Sequence, residues 1–176
     1  TPSGNKLGIR EYNKAMKQVS FELGAIACHC RDVYLDNPNY YDDYENERSI
    51  NEIAERSYIP ALNTLIEMAK NNNGAFKVAL SVSGVGLEQL EIHAPAVIEL
   101  LHKLNDTGCC EFLCEPYSHG LSSLANEECF REDVERMKIK IKQMFGKTPK
   151  VFRNSSLIYS NEIGGMVADM GFKGML

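Results

Sequence analysis

The chain has 176 residues, 44% of them hydrophobic and 24% charged, with a formal net charge of −5. That length supports one domain with a real core, and the composition excludes a disordered tail, a collagen-like fibre and a small disulfide knot. The acidic balance argues against nucleic acid as a partner, and no apolar run approaches the ~20 residues that a bilayer span needs.

Thr1 to Lys6 has no apolar core after its basic residue, so it does not read as a secretory signal, and a cytoplasmic setting is expected. Residues 1–39 are set apart as a leader, with Phe21 to Cys28 as a candidate first strand. Cys28-His29-Cys30 suggests a metal motif, but successive side chains on a strand diverge and the C-x2-C spacing of structural zinc is absent. The six cysteines (Cys28, Cys30, Cys109, Cys110, Cys114 and Cys129) therefore read as small thiols in a reducing compartment. No metal or other cofactor is expected.

Asn37 to Tyr44 is polar, aromatic and turn-rich, and predicts a loop. Ser49-Ile50-Asn51-Glu52 has the form of a capping box, which predicts a helix start at Ser49. Pro60 fits the first turn of a second helix, with Leu62, Leu65, Ile66 and Ala69 on one face and a stop at Asn71 to Gly74. Phe76 to Ser83 predicts a buried strand. Helical segments follow from Leu87 to Asn105, reset at Pro95. Cys110 to Cys114 is a short strand. Asn126 caps a long helix, Glu127 to Phe145, that ends at Gly146. Pro149 to Phe152 opens another strand, Ser160 caps a helix to Met170, and Phe172 to Leu176 is the last strand. Alternating helices and short apolar strands predict an α/β fold, a parallel sheet covered by helices on both sides. The chain is too short for a closed eight-unit barrel. Part of a barrel or a small open sheet remains, and the apolar end predicts a fragment of a larger domain.

Parallel α/β folds gather reactive groups at the carboxyl ends of their strands. Ser81, Ser83 and Gly84 follow the second strand. Glu115, Tyr117, Ser118 and His119 follow the third, with Glu111 inside it. Arg153, Asn154, Ser155 and Ser156 follow the fourth. Glu111, Tyr117, His119, Arg153 and Asn154 are thus the candidate residues of a polar pocket for a hydroxylated ligand. Each has a bland counterpart: a carboxylate inside an apolar strand demands a partner, and Arg153 fits simple pairing with a strand-end acid. Arg131 to Lys138 reads as a solvated helix face. The dinucleotide fingerprint, the P-loop, the G-x-S-x-G elbow and H-E-x-x-H are all absent.

Gly108 to Leu121, a Gly-x-x-Glu strand followed by a Tyr-x-His loop, resembles the second conserved region of glycoside hydrolase family 57, the α-amylase and 4-α-glucanotransferase group. Phe76 to Leu90, with Ser-x-Ser-Gly-Val, and Pro149 to Asn154 are similar to the same family, so the resemblance runs over residues 40–176. It implies an incomplete (β/α)7-type barrel with parallel strands and surrounding helices, truncated at its C-terminus. It also implies an α-glucan or maltooligosaccharide as partner, cleaved or transferred with retention. Retention uses two carboxylates about 5 Å apart. The family's nucleophile is the Glu of a pattern like Thr-Glu-Leu-Ile-Tyr, and this chain reads Ser155-Ser156-Leu157-Ile158-Tyr159, so Ser156 stands at the nucleophile position. A hydroxyl offers no anionic oxygen to an oxocarbenium-like transition state. The family's acid/base Asp falls beyond a strand this chain does not contain. The His-Gln-Pro of the first region is not found; His29 is its one candidate. The expectation is an amylase-like domain without activity. The alternatives are a non-catalytic α-glucan binder and a metal-dependent polysaccharide deacetylase-like protein. For the latter, His29, His93, His102 and His119 do not assemble a His/Asp triad.

Overall fold

A computed structural model describes residues 18–22 and 42–176. Strand β1 (Gln18–Glu22) pairs in parallel with β2 (Lys77–Ser81), and β2 with β3 (Cys110–Phe112). Strand β4 (Val151–Phe152) pairs in parallel with β5 (Gly174–Met175). A bridge between Cys114 and Phe152 joins the two ladders. There the Cys114 N–H donates to the Val151 carbonyl at 2.9 Å and the Arg153 N–H to the Cys114 carbonyl at 2.8 Å. The spatial order of the strands is therefore their chain order. With the right-handed crossovers that parallel connections take, that order places the connecting helices among the described residues on the same face. This corrects the expectation of helices on both sides and is the geometry of a barrel wall rather than of a doubly wound sheet.

The strands alternate accordingly. Val78, Leu80, Cys110, Phe112, Cys114 and Phe152 lie in the hydrophobic core. The opposite face carries Ala79 and Ser81 of β2, then Glu111, Leu113 and Glu115, then Val151 and Arg153. The core side is aromatic where β3 and β4 meet the longest helix. Phe112 stacks on Phe145 with centroids 4.0 Å apart, and Phe152 meets Phe130 edge-on at 5.7 Å and Phe172 at 5.4 Å.

Helix α1 (Asp43–Ile53) begins ahead of the expected start at Ser49. Asp42 is the cap, its Oδ1 accepting from the Glu45 N–H at 3.2 Å, and Asp43 and Glu45 suit the positive end of the helix. Asp43 and Tyr44, expected in a loop, are thus helical; residues 37–41 of that loop lie outside the described residues. At Pro60 the helix does not break. A π-helical stretch (Ala54–Tyr58) leads directly into α2 (Ile59–Asn71), and the Ile59 N–H donates to the Ala54 carbonyl five residues back. The widened turn accommodates a ring that clashes with the carbonyl four residues before it in an ordinary helix.

Helix α3 (Gly84–His93) starts earlier than Leu87 because the Ser83 hydroxyl caps it, accepting from the Gly86 N–H at 3.1 Å. Helix α4 (Pro95–Asp106) restarts at Pro95 as expected. A short helix, α5 (Ser122–Ala125), precedes α6 (Glu127–Phe145). Helix α6 has the expected limits: Asn126 accepts from the Cys129 N–H at 3.0 Å, and Gly146 ends it at φ 69°. Helix α7 (Asn161–Asp169) is capped by Ser160. Helix α2 packs on α4, and α1 on α3. Strand β1 lies earlier than the candidate first strand at Phe21 to Cys28; residues 23–28 and the Cys28-His29-Cys30 motif lie outside the described residues. No helix among the described residues is long and apolar enough to cross a membrane.

Candidate functional site

The carboxyl end of β3 holds a buried acid. Glu115 is 1% exposed, and desolvation of its carboxylate is costly unless both oxygens are engaged. Both are. Oε1 lies 2.8 Å from His119 Nδ1, and Oε2 accepts from the hydroxyl of Ser81, itself buried. The register Leu80 to Phe112 sets Ser81 beside Leu113, one pleat from Glu115 and on the same face. His119 reaches back because the chain turns tightly after the strand: its N–H donates to the Pro116 carbonyl at 3.0 Å, and its φ is +53°. Non-glycine residues in that region cost about 1 kcal/mol or more and collect at functional sites. The His119 side chain is 23% exposed, so the pair is covered by protein on the Glu115 side and open on the other. The bridge of Cys114 to Phe152 puts Arg153 next to Glu115 across the ladder, on the same face and half-buried.

Three expected pocket residues stand differently. Glu111 is exposed and four positions before Glu115, about 13 Å along the strand toward its amino end. It borders a cleft of about 290 Å³ with Lys77, Ala79 and Gly108. The acid that needs partners is Glu115, and Glu111 needs none because its environment is solvent. Tyr117 is buried in the helical layer. Its ring lies against Gly84, its hydroxyl donates to Glu88, and the Arg136 guanidinium sits 3.7 Å from the ring centroid and 3.2 Å from the same Glu88 carboxylate. Tyr117 thereby fastens the β3 loop to α3 and α6. Asn154 is also buried and holds the turn after β4, donating to the Ser123 hydroxyl at 3.0 Å and to the Ile158 carbonyl at 2.9 Å.

Ser156 sits in the 3-10 turn Ser155–Leu157 directly after β4. Its side chain is exposed, its φ is +53°, and Leu157 follows at +55°. Left-handed residues thus occur just past the carboxyl ends of both β3 and β4. Leu121, Leu124, Leu157 and Tyr159, in the segments that follow these strands, are exposed apolar side chains.

Burial and the Glu88 hydrogen bond push the Tyr117 phenol up to about 12, and burial pushes the Cys110 thiol up to about 12. Both are neutral in the fold, with folded values above their unfolded ones. Their contribution is complete below the unfolded values and is lost as the pH rises through the folded ones. The unfolding temperature should therefore hold steady up to about pH 8 and fall progressively between about pH 9 and 12. Thermal melts across that range check this; a flat profile up to pH 12 contradicts it.

A cleft of about 650 Å³ between α1 and α3, against Asp43, Asn46, Glu88 and Ile92, includes none of Ser81, Glu115, His119 and Arg153. Among the described residues, no three His, Cys, Asp or Glu side chains gather closely enough to hold a metal ion. The site the chain assembles is thus Ser81, Glu115, His119 and Arg153 on one face. Tyr117 and Asn154 brace its two loops from behind. In the sequence Ser81 and Glu115 follow strands, and Glu111 stands inside the apolar run as the candidate. The missed signal is the alternation itself: Glu111 and Glu115 share a face, and the later one stands at the carboxyl end.

Residues 32–176 match the family model of glycosyl hydrolase family 57. A Methanocaldococcus jannaschii protein named "Putative alpha-amylase" is 38% identical over 135 residues, covering 76% of this chain and 28% of that protein. The crystal structure of 4-alpha-glucanotransferase from Thermococcus litoralis superposes with a TM-score of 0.65 at 21% identity, covering 73% of this chain and 20% of that one. A family 4 carbohydrate esterase from Streptomyces lividans superposes with a TM-score of 0.52 at 17% identity, over 69% of this chain and 56% of that one. The chain thus spans less than a third of the first two proteins. With its sequential parallel strands, the fold is an incomplete (β/α)7-type barrel with surrounding helices.

Proposed function

Because the chain belongs to glycosyl hydrolase family 57, we propose that it is an amylase-like domain that binds α-glucan or maltooligosaccharide at the carboxyl ends of its strands and does not cleave it by the family's retaining route. Ser156 is the observation that carries this reading. It is exposed in the turn directly after β4, in the stretch where the family resemblance calls for a nucleophilic Glu. A neutral hydroxyl offers no charge to an oxocarbenium-like transition state. Its hydroxyl has no hydrogen-bond partner among the described residues, so no general base there activates it.

The glucan ligand class is supported by the names of the M. jannaschii and T. litoralis relatives. His119 supplies a partly exposed hydrogen-bonding group suited to a sugar hydroxyl, Arg153 lies beside it on the same face, and exposed Tyr159 and Leu157 offer apolar surface to sugar faces. Tyr117 and Asn154 act indirectly, through the loops they hold. Glu111, exposed near the amino end of β3, has no part in this proposal. The free thiols of Cys109, Cys110, Cys114 and Cys129 agree with a reducing, cytoplasmic setting.

Calorimetric titration with maltoheptaose, run beside a reducing-end assay on starch and maltoheptaose, tests the reading. The expected result is saturable binding with no detectable hydrolysis. Turnover that disappears in Ser156→Ala would overturn the loss of activity, and absence of binding at millimolar sugar would overturn the ligand class.

A further inference from the structure

We infer that Glu115 and Ser81 are positioning residues that hold the His119 imidazole in its Nδ1–H tautomer, leaving Nε2 as a hydrogen-bond acceptor for a hydroxyl of the bound ligand. For the ligand, this rests on the glucan reading above; the tautomer does not.

The geometry has three parts. A carboxylate oxygen accepts hydrogen bonds and does not donate them, so the 2.8 Å contact between Glu115 Oε1 and His119 Nδ1 places the ring proton on Nδ1. The Ser81 hydroxyl occupies Oε2, so the carboxylate is gripped at both oxygens and cannot turn away from the ring. The Glu115 side chain is 2% exposed, which keeps water from competing for either bond. Ser81 comes from β2 and Glu115 from the end of β3, so the rigid sheet, rather than the loop, sets the ring's orientation.

The ring's other nitrogen is the functional consequence. Nδ1 and Nε2 lie on opposite edges of the imidazole, so Nε2 points away from Glu115. It has no hydrogen-bond partner among the described residues, on a side chain that is 23% exposed. With Nδ1 protonated, a neutral ring presents a lone pair at Nε2. That lone pair recognises an O–H donor, the group a neutral polyhydroxylated sugar offers in abundance. The left-handed backbone at His119 is the feature that folds the ring back onto an acid four residues earlier outside any helix. A loop brace alone would not require the ring's free edge to remain unpartnered.

Long-range 1H–15N NMR spectra of the labelled chain, at a pH where the imidazole is neutral, read the tautomer directly. The His119 signals are assigned by their loss in His119→Gln. The expected spectrum of the free protein shows Nδ1 protonated and Nε2 bare. Adding maltoheptaose should move the Nε2 resonance upfield and leave Nδ1 nearly unchanged. Glu115→Gln, whose amide is a weaker acceptor and adds a competing N–H donor, should reduce the Nδ1–H preference and weaken maltoheptaose binding about tenfold, the scale of one ordinary hydrogen bond. If Glu115→Gln does not fold, Ser81→Ala carries the comparison, with a smaller loss of both. A predominant Nε2–H tautomer in the free protein overturns the inference. So does sugar binding that leaves the Nε2 resonance in place and is unchanged in the variants. If the free protein has the Nδ1–H tautomer and binds no maltoheptaose, the glucan reading falls and the positioning role stands.

Discussion

Phe152→Ala should lower the stability of the fold by about 4 kcal/mol, which for a chain of this size corresponds to roughly 10 °C in unfolding temperature. Phe152 is 0% exposed and sits where three elements meet. It contacts Phe130 of α6 edge-on and Phe172 ahead of β5, and its backbone bridges to Cys114. Strand β4 has two residues, so its own ladder contributes little and its attachment depends on this ring. Truncation leaves a cavity lined by two aromatic rings and a strand, surroundings that cannot readily collapse. The turn carrying Arg153 to Ser156 begins at the next residue, so ligand binding should weaken along with stability. Urea titration gives the free energy directly. A loss below about 1 kcal/mol would mean that the neighbours close the gap and that β4 is held by something other than this packing.

Gly84→Ala should cost about 3 kcal/mol, the upper end of the range for overpacking. A methyl group at that position would collide with Cδ2, Cε2 and Cγ of Tyr117, so the contact is with the body of the ring rather than a flexible end. The ring has little freedom to retreat, since Glu88 holds its hydroxyl and Arg136 covers it at 3.7 Å. The strain passes to the loop, because the Val85 N–H also bonds the Tyr117 carbonyl at 3.1 Å. His119, two residues on, should lose its registration with Glu115. The expected variant therefore melts at lower temperature and binds maltoheptaose less tightly. Gly165→Ala is the control. That glycine is also helical, has nothing within 4 Å of a built Cβ, and should be neutral or gain up to about 1 kcal/mol from helix propensity. Equal melting temperatures for the two variants would refute the steric account.

The contrast between these two glycines shows where sequence reading runs out. Both lie in apolar helical segments, and only the partner across the fold distinguishes them. The same holds at the first helix. Ser49 to Glu52 satisfies a capping pattern, and so does Asp42 with its acidic first turn. The choice falls to the earlier cap because the helix extended from Asp43 buries Asn46 and Ile50 on one face. Pro60 in the sequence marks a helix start, and it lies in the first turn of α2, but the π-helical turn before it lets the chain run through without a break.

Elements governed by neighbours in the chain were legible in advance. Helix α6 runs between an Asn that satisfies its first N–H groups and a Gly that accepts a left-handed φ, and both ends follow from that chemistry alone. The Pro95 restart and the Ser160 cap are of the same kind, as is the apolar character of β2. The motifs at the strand ends, including the serine at position 156, were likewise present in the order of residues. Which acid of Glu111 and Glu115 is buried, that Ser81 is its second partner, and that Tyr117 faces the helices were decided by the assembled fold. Those facts depend on which strands become neighbours and in what register, and on which loop closes over them. They join residues as far apart as Ser81 and Glu115, for which local propensity carries no information.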